Sequence, residues 1–202
     1  MIDNETLAQV IHFHGHLCPG LALGIRAAEV ALEQIGPHAA DEEVVAIVET
    51  DMCGVDGVQF LTGCTFGKGN MIYRDYGKNA YTFVRRSDGR AIRISGRAGA
   101  AGPPEPGQDE LGAKMGDGTA TADDRRRFVA GHERRSRRIL QAPIEELYDV
   151  QEVDIEMPRL ARVFVSVECA SCHEPTMETR IRRLDGSELC PPCFEAATGG
   201  RG

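Results

Sequence analysis

The stretch His12-Phe13-His14-Gly15-His16-Leu17-Cys18-Pro19-Gly20 places three imidazoles and a thiol within seven residues, directly ahead of a helical run. Core packing does not call for such a set. Imidazole and thiolate are the side chains that bind transition metals or carry acid–base and nucleophilic chemistry. Half of the chain's six histidines fall at positions 12 to 16, which marks this segment as the candidate functional centre. Pro19 and Gly20 suit a first helical turn, and the helix they open is expected to run to about Ile35, where Gly36-Pro37 stops it. Its stripe Leu21, Gly24, Ala27, Ala28, Ala31 and Ile35 is small and apolar, so another backbone is expected to pack closely on it.

If residues 14 to 18 are extended, the two-residue period turns His14, His16 and Cys18 to one side. Cys18 then stands at a helix N-terminus, where the macrodipole and free amides favour thiolate over thiol. Val44-Val45-Ala46-Ile47-Val48-Glu49 reads as a buried strand that delivers Asp51 and Cys53 to its C-terminal end. A thiolate, neighbouring imidazoles and Cys53 can build a three-ligand site with an open position, the arrangement of reactive rather than structural metals. Val55 to Leu61 reads as a short helix, followed by a glycine-rich loop from Thr62 to Asn70. Cys64 in that loop could be a fourth ligand, a redox partner or a nucleophile. Lys68 offers a cation for an anionic substrate group, although a tight turn into the next strand explains the loop equally well. The spacing is not that of a P-loop.

Beyond this segment, Tyr81–Arg85 and Arg90–Ile94 flank Ser87-Asp88-Gly89 and predict a hairpin. Residues 96 to about 120 turn to Gly, Ala, Pro and Asp, predicting a mobile connection with a short helix near Glu110 to Met115. Thr121-Ala122-Asp123-Asp124 caps a long helix reaching about Gln141. Its arginines read as a solvated face with stems laid along the surface. Val163–Val167 reads as a strand leading to the last four cysteines.

Those cysteines are Cys169 and Cys172, then seventeen residues, then Cys190 and Cys193, which is the spacing of a four-cysteine zinc ribbon. Asp185-Gly186 supplies the hairpin turn that brings the second pair back to the first. So short a segment buries too little surface to fold alone, and bound zinc supplies the missing stability.

At 202 residues, 42% apolar and 27% charged, the chain has room for one full core and a small appendix. A formal charge of −8 argues against nucleic acid and membrane surfaces as partners. Neither an apolar leader nor a membrane-spanning run is read, so a cytoplasmic location is expected. Seven cysteines in a reducing compartment point to metal or catalysis rather than disulfides. The expected organisation is a core over 1–157, a connecting strand over 158–167 and a ribbon over 168–202.

The strings FHGHLCPGLALGIRAA and MCGVDGVQFLTGCTFGKGN resemble the FmdE family, named for a subunit of formylmethanofuran dehydrogenase. The likeness continues through Thr119-Ala120-Thr121, Ile139-Leu140, Pro143, Leu147 and the ribbon. It implies an α+β fold, a small mixed or antiparallel sheet with packed helices, in a chain that forms a homodimer. Carried residue by residue, the family's metal or active site falls on His16, Cys18 and Cys53, with His14 and Cys64 adjacent. In an enzymatic version those three residues hold a second transition metal, zinc or nickel, His14 is the general acid/base, and Lys68 holds substrate. The family name implies a molybdenum or tungsten dehydrogenase of one-carbon metabolism as partner. The alternative is an accessory or metal-sensing module that docks through its ribbon. This sequence departs from the expected pattern at His173, where a glycine would follow the second ribbon cysteine; that change either strains the knuckle or offers a spare ligand.

Overall fold

A computed structural model describes residues 1–199 of the chain, which divides into two units after Leu160. The first unit opens with helix α1 (Asn4–His14), capped by Asp3, whose carboxylate accepts the Thr6 amide at 2.7 Å. The helix ends on Gly15 at φ 100, a left-handed cap that suits glycine. Three residues later Cys18 caps α2 (Pro19–Gln34), with Pro19 in the first turn. Residues 14 to 18 are therefore a helix end, a turn and a helix start, not an extended run. His14 continues the helical hydrogen bonding, and Gly15 reverses the chain.

Helix α2 is buried on nearly every side from Leu21 to Ala31, as expected of a helix at the centre of a domain. Against it lies a five-stranded sheet of β1 (Val44–Val48), β2 (Met71–Tyr73), β3 (Ala80–Arg85), β4 (Ala91–Gly96) and β5 (Tyr148–Glu152). The strand order is β2-β1-β3-β4-β5, with β1 and β2 parallel and the remaining pairs antiparallel, so the α+β fold carries a mixed sheet. Alternation sends Ala46, Val48, Tyr81, Phe83, Ile92 and Ile94 into the main core with α2. The opposite face buries Val45, Val84 and Ala91 beneath Val153, Ile155 and Met157.

Helix α3 (Gly54–Thr62) packs backbone to backbone against α2. A Cβ on Gly24 would land on the Gly54 carbonyl, one on Gly57 would sit 2.9 Å from the Ile25 nitrogen, and one on Gly20 would sit 3.2 Å from Cys53 Cβ. The small stripe of α2 is thus a contact between two backbones. This crossing sets the N-terminus of α3 beside that of α2.

The segment after β4 contains α4 (Gln108–Gly116) and leads to α5 (Ala122–Gln141). Thr121 and Asp124 form a reciprocal capping box at the start of α5. The Gly/Pro-rich connection is tied down: Gln108 donates to the Phe128 carbonyl at 2.6 Å, and Arg135 donates to the carbonyls of Ala101 and Gly102, each at 2.6 Å. Arg26 on α2 donates to the Ala142 carbonyl at 2.9 Å, fixing the end of α5 before the single turn α6 (Ile144–Leu147).

The second unit pairs β6 (Ser166–Glu168) with β7 (Pro175–Met177), and β8 (Arg182–Leu184) with β9 (Ser187–Leu189), and ends in α7 (Pro191–Thr198). Asp185 and Gly186 take φ 48 and 82, both left-handed, as a two-residue hairpin turn requires. The strand expected over 163–167 begins only at Ser166. Its partner β7 is three residues long, and its ladder with β6 stops at Met177. No helix among the described residues is long and apolar enough to cross a membrane.

The glycine crossing gives a paired expectation. Gly24→Ala must push two backbones apart and should cost about 1–3 kcal/mol, the range for overpacking a core. Gly112→Ala, on α4 with its nearest neighbour Phe128 Cε2 at an ordinary 3.7 Å, should instead stabilise by about 0.5–1 kcal/mol. Urea unfolding followed by tyrosine fluorescence reads both, because all four tyrosines lie in the first unit.

Candidate metal centres

In the second unit the sulfurs of Cys169, Cys172, Cys190 and Cys193 lie within 4.8 Å of one another. Cys172 Sγ and Cys190 Sγ are 3.7 Å apart. Four sulfurs at about 2.3 Å from a tetrahedral zinc would be separated by about 3.8 Å. The donor set therefore fits a structural zinc. Backbone amides of Cys172 and Cys190 turned onto its sulfur hold the Cys169 thiol down at about 6, so one ligand is close to deprotonation before a metal adds its charge. The Cys190 amide donates to that sulfur at 3.3 Å. His173 takes a left-handed φ of 63 and turns its ring to Glu168, with Nδ1 2.9 Å from the carboxylate. The departure at this position is thus carried by the backbone of the knuckle.

In the first unit a second group forms where α1 ends and α2 begins. Donor atoms of His14, His16 and Cys18 lie within 4.8 Å of one another. His14 Nδ1 lies 2.6 Å from Asp56 Oδ2, on the first turn of α3. A carboxylate oxygen only accepts, so Nδ1 carries a proton, and Nε2 is the ring nitrogen left to a metal. Nε2 is 3.8 Å from Cys18 Sγ; a nitrogen and a sulfur on one tetrahedral ion would be about 3.6 Å apart. The His14 and His16 rings stack obliquely with centroids 4.9 Å apart.

Cys53 adjoins Cys18 from the N-terminus of α3, and its sulfur is left free of any capping bond. The Cys18 sulfur accepts the Leu21 amide at 3.4 Å. Burial nevertheless pushes the Cys18 thiol up, with the Leu21 amide opposing and the nearby Cys53 adding to the rise. The expected thiolate is therefore not set by the helix N-terminus alone. A bound cation is the ingredient that would reverse the balance.

Cys64 and Lys68 are placed elsewhere. Cys53 and Cys64 stand at opposite ends of α3, whose nine residues span about 13 Å. The Cys64 thiol is fully buried against the Val44 carbonyl at 3.5 Å, and burial pushes its pKa up. Lys68 Nζ donates to the Ala39 carbonyl at 2.7 Å and also reaches that of Ala40. Both side chains thus secure the entry to β1.

A cavity of about 760 Å³ opens from His16, Cys18 and Cys53 toward α5. Ile11, Leu17 and Met52 line one side, and Phe128, Val129 and His132 the other. Phe128 and His132 stack with centroids 4.3 Å apart, and burial pulls the His132 pKa down, helped by Arg135 and His16. The sequence reading missed Asp56, His132 and this wall. Asp56 was detectable as the carboxylate three residues past Cys53, but its partner lies forty-two positions back along the chain.

The two units have separate apolar clusters, so the ribbon metal should be removable without loss of the core. Cys190→Ser is expected to release the ribbon zinc and to abolish amide protection in β8 and β9. Protection in β1, β3 and β4 should stay at its wild-type level, as read by hydrogen exchange with mass spectrometry.

Comparison with known proteins agrees with this division. Residues 13–149 match the family described as "FmdE, Molybdenum formylmethanofuran dehydrogenase operon". Residues 165–199 match "Prokaryotic dksA/traR C4-type zinc finger". A protein of Archaeoglobus fulgidus described as "Probable S-adenosyl-L-methionine-binding protein" is 34% identical over 98% of this chain, which spans 55% of that protein's length. The crystal structure of a tungsten formylmethanofuran dehydrogenase FmdE-like protein from Syntrophus aciditrophicus is 20% identical. It covers 96% of this chain and 92% of its own, with a TM-score of 0.59, and so shares the fold. With the family match spanning the turn, both helix starts and α5, this chain belongs to the FmdE family and carries a C4 zinc finger at its C-terminus.

Proposed function

We propose that the core of this protein is a transition-metal site that binds a small molecule, in the service of molybdenum- or tungsten-dependent one-carbon redox metabolism. The observation that carries the metal site is the clamp on His14. A metal-ligating imidazole characteristically gives its other nitrogen to a carboxylate, which fixes its tautomer and orientation. Asp56 does this here, leaving His14 Nε2 turned toward Cys18 Sγ. His14 is accordingly read as a ligand rather than a general acid/base, with His16 and Cys18 completing three donors and Cys53 adjoining. A metal bound there would act as a Lewis acid toward a donor entering from the cavity. The protein's own part is to hold the donors, turn the open side to the cavity and line that cavity with apolar side chains. One thiolate and two imidazoles suit zinc or nickel.

The link to molybdenum or tungsten metabolism is supported by the description of the family and by the name of the Syntrophus aciditrophicus structure, both of which concern formylmethanofuran dehydrogenase. In this reading the C-terminal ribbon is the part that docks.

Metal analysis of the purified chain tests the core site. Two metal equivalents per chain are expected, falling to one in Cys18→Ser. Asp56→Asn should keep the second metal but weaken its affinity about 10–100-fold. A single equivalent unchanged by Cys18→Ser would remove the core metal from the account. For the partner, a tagged full-length chain recovered from its native cells should co-elute molybdenum or tungsten, and Cys190→Ser should abolish that co-elution. An eluate without either element argues against the link.

A further inference from the structure

We propose that the cavity beside the core site takes a small sulfur donor with an apolar body, an alkyl or aryl thiol or thioether, its sulfur on the metal and its body along α5. This inference rests on the metal-site reading above.

The shape of the site supplies the first argument. His16, Cys18 and Cys53 line the cavity together with apolar side chains, while His132, Glu133, Arg135 and Arg137 add polar groups from α5. Leu17 and Met52 close over one flank, and Phe128 and Val129 form the opposite wall. Val129, 60% exposed, contributes its side chain to this wall. A volume of about 760 Å³ is well within the range of small-molecule sites, roughly 300–1,000 Å³.

The charges supply the second. The cations at the α5 rim are already engaged: Arg135 with the carbonyls of Ala101 and Gly102, and Arg137 with Glu133 at 2.7 Å. Lys68 is held by the carbonyls of Ala39 and Ala40. These cations have hydrogen-bonding partners of their own, although the neutral carbonyls leave the Arg135 charge at the α5 side of the cavity. A thioether sulfur carries no charge and a thiol sheds its proton on binding the ion, and an ion held by thiolate and imidazole suits a soft donor.

The test uses full-length protein with zinc in the ribbon and cobalt(II) loaded at the core, kept reduced with a phosphine. The visible difference spectrum against Cys18→Ser isolates the core cobalt. Ethanethiol, butanethiol and hexanethiol are titrated in turn, then ethyl thioethers of the same chain lengths, with hexanol and hexanoate as oxygen-donor controls. Affinity should rise about fourfold per added methylene, the fold-change that corresponds to about 0.8 kcal/mol per buried CH2. Val129→Glu should flatten that dependence to less than twofold per methylene while leaving cobalt affinity unchanged. Thiol binding releases a proton to solvent, so its apparent affinity should rise about tenfold per pH unit below the thiol pKa, whereas a thioether series should be independent of pH. Either series following the chain-length rule supports the proposal, and the pH response says which sulfur it is. Equal binding of hexanol or hexanoate, or affinity independent of chain length, overturns the sulfur-donor cavity and leaves the metal site standing. Absence of core cobalt bands in the wild-type protein overturns the metal site and the cavity proposal together.

Discussion

The close crossing of α2 and α3 is the constraint on which the rest of the first unit depends. Helices normally pack 8–10 Å apart because side chains separate them. Gly24 set against Gly54, and Gly57 against Ile25, remove that spacer. The consequence lies at the helix starts. Cys18 caps one helix and Cys53 precedes the other, and the glycines hold these two ends side by side. Tyr81, buried in the sheet, brings its hydroxyl up beneath Gly54, so the sheet supports the same point from below.

Two opposing effects then act on the Cys18 sulfur. Burial disfavours the charged thiolate, and the helix amide favours it. Burial prevails in the metal-free balance. In the reading proposed above, a bound cation would supply the charge that favours the thiolate. The pairing of His14 with Asp56 points the same way, because it spends one ring nitrogen on orientation and leaves the other to donate. The ribbon solves a similar problem differently: backbone amides, not a carboxylate, lower the Cys169 thiol.

Much of this is legible in the sequence where the signal is local. The span of α2, the strand β1, the hairpin around Asp88-Gly89, the Thr121 cap and the ribbon spacing all rest on neighbours within a few positions. The turn at residues 14 to 18 is not extended, as alternation predicts. Its geometry hinges on one left-handed glycine, Gly15, and on α1 continuing through His14. The alternation argument brings His14, His16 and Cys18 together by the wrong route. Asp56 and the cavity wall stay hidden because their partners are distant in the chain. Val129 is an apolar residue on an arginine-rich helix, and it borders open space rather than core. Cys64 and Lys68 stand out as reactive types, yet their partners are backbone carbonyls near β1.

The capping box that starts α5 has a consequence for how such a protein diversifies. Thr121 and Asp124 satisfy each other locally, so the helix begins at the same residue whatever its later side chains are. The clustered donor atoms come from residues 14 to 18, while the facing wall comes from a segment more than a hundred positions downstream. Drift along that wall can reshape the cavity without disturbing the clustered donor atoms. Two members with the same histidine–cysteine cluster can therefore differ in the cavity beside it, and that signature by itself does not specify what the cavity admits.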